Sequence, residues 1–431
     1  MIGTAVMRNS LTHLSGRSLR HVAVLAGGTA TAQILTLAAT PLITRMFGPE
    51  AYGAAGSFLA LVSMLVPVAA LCYPLAIVLP REDRDAQGLS VLSLTIALVL
   101  ALLTLACVWV GQPLLERTGM TASWLLLLPV FMLLGALRQV LEQWAHRLGR
   151  FPVSARVSVA QSVTANGGKI GGGLAFPVAG TLVGMALLAE VVACAWYLAS
   201  LRRVVVEAFQ RRHESTTALR QLAATHFDFP VYRAPQILVS SLSLGLPVLI
   251  LGTWFGAAAA GFYVLARVVV TAPVTLIGKA ITDVLTPRLA EASRRGEALR
   301  PLLRKAMLGL APTAALPMLS VIIAGPILFE WLFGAEWRPA GEQARWLALW
   351  FYVTLITMPC LAALPVLRMQ RFHLQLTCWS AAVRLSLLLG CAALGADVIT
   401  CVAVYAISGA LINLLLAARV LPASSAPVAR D

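Results

Sequence analysis

Lys169, Arg267 and Arg384 each interrupt a stretch of about twenty residues otherwise apolar enough to cross a bilayer. An ionisable side chain in such a stretch is costly in hydrocarbon and normally faces a partner or a water-filled path. Three cations so placed point to an anionic cargo, and point charges suit a phosphate. Two acids accompany them. Glu190, in the middle of its stretch, reads either as a counter-charge to a cation such as Lys169 or as a titrating ion-coupling site. Asp283 stands four residues after Lys279, the spacing of a local ion pair on one helix face, and is the second coupling candidate. Arg233 lies near the end of its stretch, where a long side chain snorkels to the interface.

The cations sit in polar stripes. Residues three and four apart share a helix face, and Lys169 follows Ser158 and Ser162 in that rhythm. Arg267 precedes Thr271 and Thr275, while Arg384 follows His373, Thr377 and Ser380. Two further stripes carry glutamines, one with Thr29, Gln33 and Thr36 and one with Gln236, Ser240 and Ser243. Small hydroxyls alone also serve helix packing or bond back to their own carbonyls, so the added cation is what favours a cavity. At ~1.5 Å rise per residue, Lys169 and Arg267 lie ~9 Å below the outer ends of their stretches and Arg384 ~15 Å below. The run NGGKIGGG (Asn166 to Gly173) lacks the strand and the GKS or GKT ending of a phosphate-binding loop. Its glycines four apart read as helix-packing positions.

The elements that must hold these residues are transmembrane helices. The chain of 431 residues is 59% hydrophobic and 12% charged, far from the soluble balance of roughly half apolar and a quarter charged. Its net charge of +15 is not gathered on one soluble face, so nucleic acid is not an expected partner. The seven cysteines lie in apolar segments without a CxxC pair, and neither a disulfide framework nor a metal site is expected. The first twenty residues lack a compact apolar core before a small-residue cleavage site, so no removable signal is expected.

Twelve spans are predicted, at about 22–44, 54–79, 88–111, 122–140, 152–175, 178–200, 229–253, 261–287, 306–329, 343–366, 373–394 and 397–420. Basic residues gather at the termini and in even-numbered loops, whereas the odd loops hold only Arg45, Arg117, Arg338 and Arg345. The positive-inside rule then places both termini in the cytoplasm. The polar interval 201–228, with Arg202, Arg203, Arg211, Arg212 and Arg220, reads as the linker between two halves, 1–212 and 213–431. With residues at the loose span ends counted with the loops, the basic residues left within spans are Lys169, Arg233, Arg267, Lys279 and Arg384. Six prolines inside spans, Pro41, Pro67, Pro74, Pro247, Pro273 and Pro317, are expected to kink them.

An internal repeat supports the two halves. FGPEAYG (Phe47 to Gly53) follows the first span, and FGAAAAG (Phe255 to Gly261) follows the seventh. RLGRF after the fourth span is matched by RMQRF after the tenth. The stripe Gln236, Ser240, Ser243 stands at one constant offset from Thr29, Gln33 and Thr36. Six spans return the chain to its starting side, so the halves are parallel copies.

The run Gly27 to Gly53, the segment YPLAIVLPREDRDA (Tyr73 to Ala86), RVSVAQSVTANGGKIGGGL (Arg156 to Leu174) and LFGAEWRPAGEQARWLALW (Leu332 to Trp350) resemble Wzx-type polysaccharide flippases. These form the polysaccharide-transporter branch of the multidrug, oligosaccharidyl-lipid and polysaccharide (MOP) exporter superfamily. The resemblance implies an all-α integral membrane protein of two six-helix bundles around a central cavity, in the bacterial inner membrane. The cargo it implies is a polyprenyl-pyrophosphate-linked oligosaccharide, with membrane lipids and other polysaccharide assembly proteins as partners and no cofactor. Lys169, Arg267 and Arg384 are then expected to attract the pyrophosphate, and Gln33, Gln236, Ser240 and Thr271 to line the cavity for glycan hydroxyls. The alternatives are a multidrug or peptidoglycan-precursor transporter of the same superfamily, and a membrane polymerase, ligase or glycosyltransferase. The last is disfavoured because the longest external loop, about 330–342, is too small for a catalytic domain.

Overall fold

In lipid every backbone polar group must be satisfied within the protein, and among the described residues the chain is accordingly all-helical. The structure, a computed structural model, describes residues 16–115, 122–210, 216–367 and 369–424. Side chains are described outside 16–26, 111–115, 122–123, 203–210, 216–218, 279–280, 282–284 and 287. Arg117, Arg211 and Arg212, and the side chains of Arg203, Lys279 and Asp283, thus lie outside the described residues.

The helices are α1 (Gly16–Met46), α2 (Pro49–Leu65), α3 (Asp83–Leu115), α4 (Leu128–Arg147), α5 (Phe151–Ala175), α6 (Ala179–Gln210) and α7 (Thr216–Thr225). They continue as α8 (Ala234–Phe255), α9 (Ala257–Arg294), α10 (Arg300–Phe333), α11 (Arg338–Ala363), α12 (Gln370–Ala393) and α13 (Val398–Ala423). All except the short α7 overlap the expected spans, α2 covering only the first part of its own. Among the described residues nine helical segments are both long and apolar enough to cross a membrane, which makes this a multi-pass membrane protein. The others are α1, α4 and α5. Arg138, Gln139 and Glu142 lower the apolarity of α4, as Gln161, Asn166 and Lys169 lower that of α5.

Two expectations need correction. The predicted span 54–79 is not one helix: α2 ends at Leu65, and the chain continues through 3-10 turns at Val66–Val68 and Tyr73–Val78. Pro67 and Pro74 start these turns because neither can donate to the helix ladder, and Leu71 and Cys72 between them take positive φ, 48° and 62°. The interval 201–228 is not an open linker either, since α6 runs on to Gln210 and α7 occupies Thr216–Thr225.

The chain forms two compact units. Within the described residues the first comprises α1 up to Ala39, Leu65–Phe176 and Gly180–Pro235; the second comprises Thr40–Met64, Pro177–Ala179 and the chain from Gln236. The units therefore differ from the expected halves 1–212 and 213–431, because Thr40–Met64 packs with the second. In the first unit α3 and α4 pack together with the turn Tyr73–Val78 against both, α5 packs on α4, and α7 lies on α3. Its core gathers Ile77, Leu89, Leu141, Trp144 and Tyr197. The glycine stripe of α5 divides: a side chain at Gly168 or Gly172 would strike Met185 or Thr181 of α6, while Gly167 and Gly171 face open space.

In the second unit α11 is central, packed on α9, α10 and α13, with α12 on α13. The core includes Tyr263, Phe329, Trp337, Leu347 and Tyr405. Asp397 caps α13, accepting hydrogen bonds from the N–H groups of Ile399 and Thr400, and these bonds with the Thr400 hydroxyl hold its carboxyl below the usual carboxylate range. The repeat glycines have a direct structural reason. Gly48 and Gly256 both adopt positive φ where a helix starts anew. At Gly53 an added Cβ would lie 1.8 Å from the carbonyl oxygen of Ala257, and at Gly261 one would lie 2.3 Å from that of Pro49. The FGxxxxG motifs thus place two equivalent glycines against each other where α2 crosses α9.

Candidate functional site: charged groups within the helical units

In the first unit the charge is organised around an arginine at the end of the predicted fourth span. Arg138 lies inside α4, which continues past the predicted end of the fourth span to Arg147. Its Nε donates to Glu190 Oε2 of α6 at 2.9 Å, and its Nη1 lies 3.4 Å from Glu142 Oε2, one turn further along α4. Gln161 of α5 donates to the other Glu190 oxygen at 3.0 Å. Glu190 therefore has Arg138 as its counter-charge and not Lys169. One arginine between two carboxylates leaves the cluster one negative charge in excess when both are ionised.

A second polar group joins α1 to α5. Asn166 donates to Thr36 Oγ1 at 3.1 Å and to the Ser162 carbonyl at 2.9 Å, and Ser162 donates to the Ala32 carbonyl at 2.9 Å. Gly28 permits this approach, because a Cβ there would lie 2.6 Å from that of Ala155. Lys169 follows Asn166 on α5; it is half-buried and has no hydrogen bond or ion pair among the described residues. Gln33, also half-buried, is one turn from Thr36 on α1.

The second unit holds the other two cations near one pair of tyrosines. Arg267 of α9 donates through Nη1 to the Leu244 carbonyl of α8. Arg384 of α12 is 5% exposed. Its Cζ stands 3.8 Å from the ring centroid of Trp350 in α11 and 4.0 Å from that of Tyr405 in α13. Both arginines lie within electrostatic range of Tyr263 and Tyr405. Neither forms an ion pair among the described residues, and Arg384 Nε and Nη2 are buried without a hydrogen-bond acceptor.

Among the lining candidates, Thr271 donates to the Arg267 carbonyl at 2.7 Å and Ser240 to the Gln236 carbonyl at 3.0 Å, both within their own helices. Arg233 is exposed on a π-turn, Phe229–Arg233. An open cavity of about 610 Å³ in the second unit is lined by Phe47, Gly48, Glu50, Phe262 and Glu336 among others. Nothing in the spacing of its two glutamates announced it, since Glu50 opens α2 and Glu336 lies in a 3-10 turn, Ala335–Trp337, far along the chain. Among the described residues no group of three or more His, Cys, Asp or Glu is arranged to hold a metal ion.

Comparison with known proteins gives two results. The family model described as "Polysaccharide biosynthesis protein" matches residues 42–342. No curated protein matches. Among solved structures the chain is similar to the lipid II flippase MurJ in an inward closed conformation, with a TM-score of 0.71 at 12% identity over 92% of this chain and 87% of that one. It is also similar to an inward-facing multidrug resistance MATE family transporter of the MOP superfamily, with a TM-score of 0.68 at 16% identity over 90% and 95% of the two chains. A variant of the Vibrio cholerae MATE transporter VcmN gives a TM-score of 0.56 at 16% identity over 96% and 97%. At such identities the likeness is one of fold: the chain has a MATE- and MurJ-like fold.

Proposed function

Because the chain belongs to the polysaccharide biosynthesis protein family, we propose that it turns a polyprenyl-pyrophosphate-linked oligosaccharide from the cytoplasmic to the periplasmic leaflet of a bacterial inner membrane. The observation that carries this reading is cationic charge inside membrane helices with no carboxylate paired to it among the described residues: Lys169 in the first unit, Arg267 and Arg384 in the second. Lipid offers such charges no partner, so an anionic cargo that meets them is bound by differential contact. The fold shared with a lipid II flippase supports a lipid-linked cargo.

The arrangement is twelve spans with cytoplasmic termini, the two sequence halves 1–212 and 213–431 acting as parallel repeats that expose the cargo path to each face in turn. Lys169 and Arg267 make the phosphate contacts. Arg384, packed against rings, adds to the positive field without reaching out in this conformation. Gln33 and Gln236 serve glycan hydroxyls, whereas Ser240 and Thr271 have their donors engaged locally. The excess charge of the Arg138, Glu142 and Glu190 cluster makes Glu190 the place for ion coupling, and Asp283 remains the second candidate.

The test is complementation of a deletion strain in which the lipid-linked oligosaccharide accumulates on the cytoplasmic leaflet. The double variant K169Q/R267Q, present at the wild-type level, should lower surface polysaccharide by about tenfold or more, the scale of losing charged contacts. Full activity of that variant overturns the cargo contacts, and absence of the accumulated lipid in the deletion strain overturns the flippase reading.

A further inference from the structure

The surroundings of Arg384 have the shape of an aromatic cage. Trp350 and Tyr405 meet edge to face at 88°, with ring centroids 5.7 Å apart, and the guanidinium carbon sits in the corner between them, within 4.0 Å of both centroids. Perpendicular aromatic walls around a cation are how proteins hold quaternary ammonium and guanidinium ligands, because each ring face attracts positive charge. The walls are fixed independently of the arginine. The Tyr405 hydroxyl donates to the Ser243 carbonyl at 2.7 Å, and Trp350 stacks on Phe351 with centroids 4.5 Å apart. Gly409 makes room for the indole, since a Cβ there would lie 2.7 Å from Trp350 Nε1.

The hydrogen-bonding pattern separates this corner from an ordinary arginine pocket. Nε and Nη2 have no acceptor, although a buried guanidinium ordinarily gains most from its directed N–H groups. Two of the three guanidinium nitrogens go unused, so a ligand such as tetramethylammonium forgoes only the bond that Arg384 makes with the Tyr405 side chain.

We propose that the Trp350 and Tyr405 corner is an organic-cation site that the chain fills with its own Arg384. The tethered occupant excludes free cations by effective concentration and keeps a positive charge at the tyrosine pair that Arg267 also approaches. Removing it therefore creates a site for small organic cations, and the inference holds whatever cargo the protein moves.

The experiment is thermal unfolding of the purified full chain in detergent with tetramethylammonium or guanidinium chloride at millimolar concentration, against sodium chloride of equal strength. R384A should be raised by ~2 °C or more, as expected for a ligand that binds the folded state alone. Wild type and R384M, whose corner stays filled, should not move. No response from R384A, or an equal response from R384M, overturns the proposal. If R384A does not accumulate, its folded yield is measured after expression with and without methylguanidinium in the medium: a rescued yield supports the cage, and an unchanged yield overturns it.

Discussion

A carboxylate held within an apolar helix packing costs several kcal/mol unless a cation meets it, and Glu190 is met by Arg138 at 2.9 Å and by Gln161. The group is fully connected, so removing one member is worse than removing both. R138M should lower the unfolding midpoint in detergent by several degrees, corresponding to a loss on the order of 2 kcal/mol. R138M/E190Q should recover part of that loss, and a double variant less stable than R138M would refute the pairing. Glu190 was legible in the sequence as a lone deep acid, but its partner was not. The apolar run of the fourth span fades near position 140, which put Arg138 at a helix end, whereas tertiary packing carries α4 on to Arg147. Arg384 shows the opposite limit. Its stripe with His373, Thr377 and Ser380 announced a polar face, yet the rings that hold it come from α11 and α13, far along the chain.

At the scale of helices the informative residues are those that let backbones touch. Gly53 and Gly261 leave no room for a methyl group at the crossing of α2 and α9, and neither neighbour is a flexible side chain that turns aside. G53A should therefore destabilise the protein by about 1–3 kcal/mol or more, the usual scale of overpacking, seen as a lower unfolding midpoint and a lower yield. G256S provides a different readout, because its Cβ meets nothing but its φ of 87° is strained for any residue with a side chain. Helix positions were read well from apolar length. The break after Leu65 was announced only as a kink at Pro67, since what braces it lies elsewhere: Gln139 of α4 donates at 2.9 Å to the Val66 carbonyl, which also accepts the 3-10 bond from the Ala69 N–H. Arg147 likewise holds the end of the broken stretch through the carbonyls of Ile77 and Pro80 and a bond to Asp83 at 2.9 Å.

For the whole molecule the charge asymmetry is the organising quantity. The basic residues sort by the parity of the predicted loops, and the expected orientation, with cytoplasmic termini, is open to a direct check. In a cysteine-free background, a cysteine placed at Glu336 should react with a membrane-impermeant maleimide from outside intact spheroplasts, and one at Arg220 only after permeabilisation. The reverse pattern would invert the orientation, and equal labelling of both would mean a miscounted span. Both residues are exposed, so accessibility to the reagent is limited by the membrane and not by packing. The all-helical membrane fold and the polysaccharide biosynthesis family followed from composition, apolar length and family resemblance. The identity of individual contacts did not, because side chains from distant segments create them.

The glycine crossing carries one more meaning. Gly53 and Gly261 end the two copies of the same seven-residue motif, and they touch each other. When position and copy meet face to face, the contact is of the kind that a two-fold axis produces in a homodimer, where a residue lies against itself. A side chain introduced at either position meets the backbone of the other, so neither side of the crossing can be enlarged without displacing its counterpart.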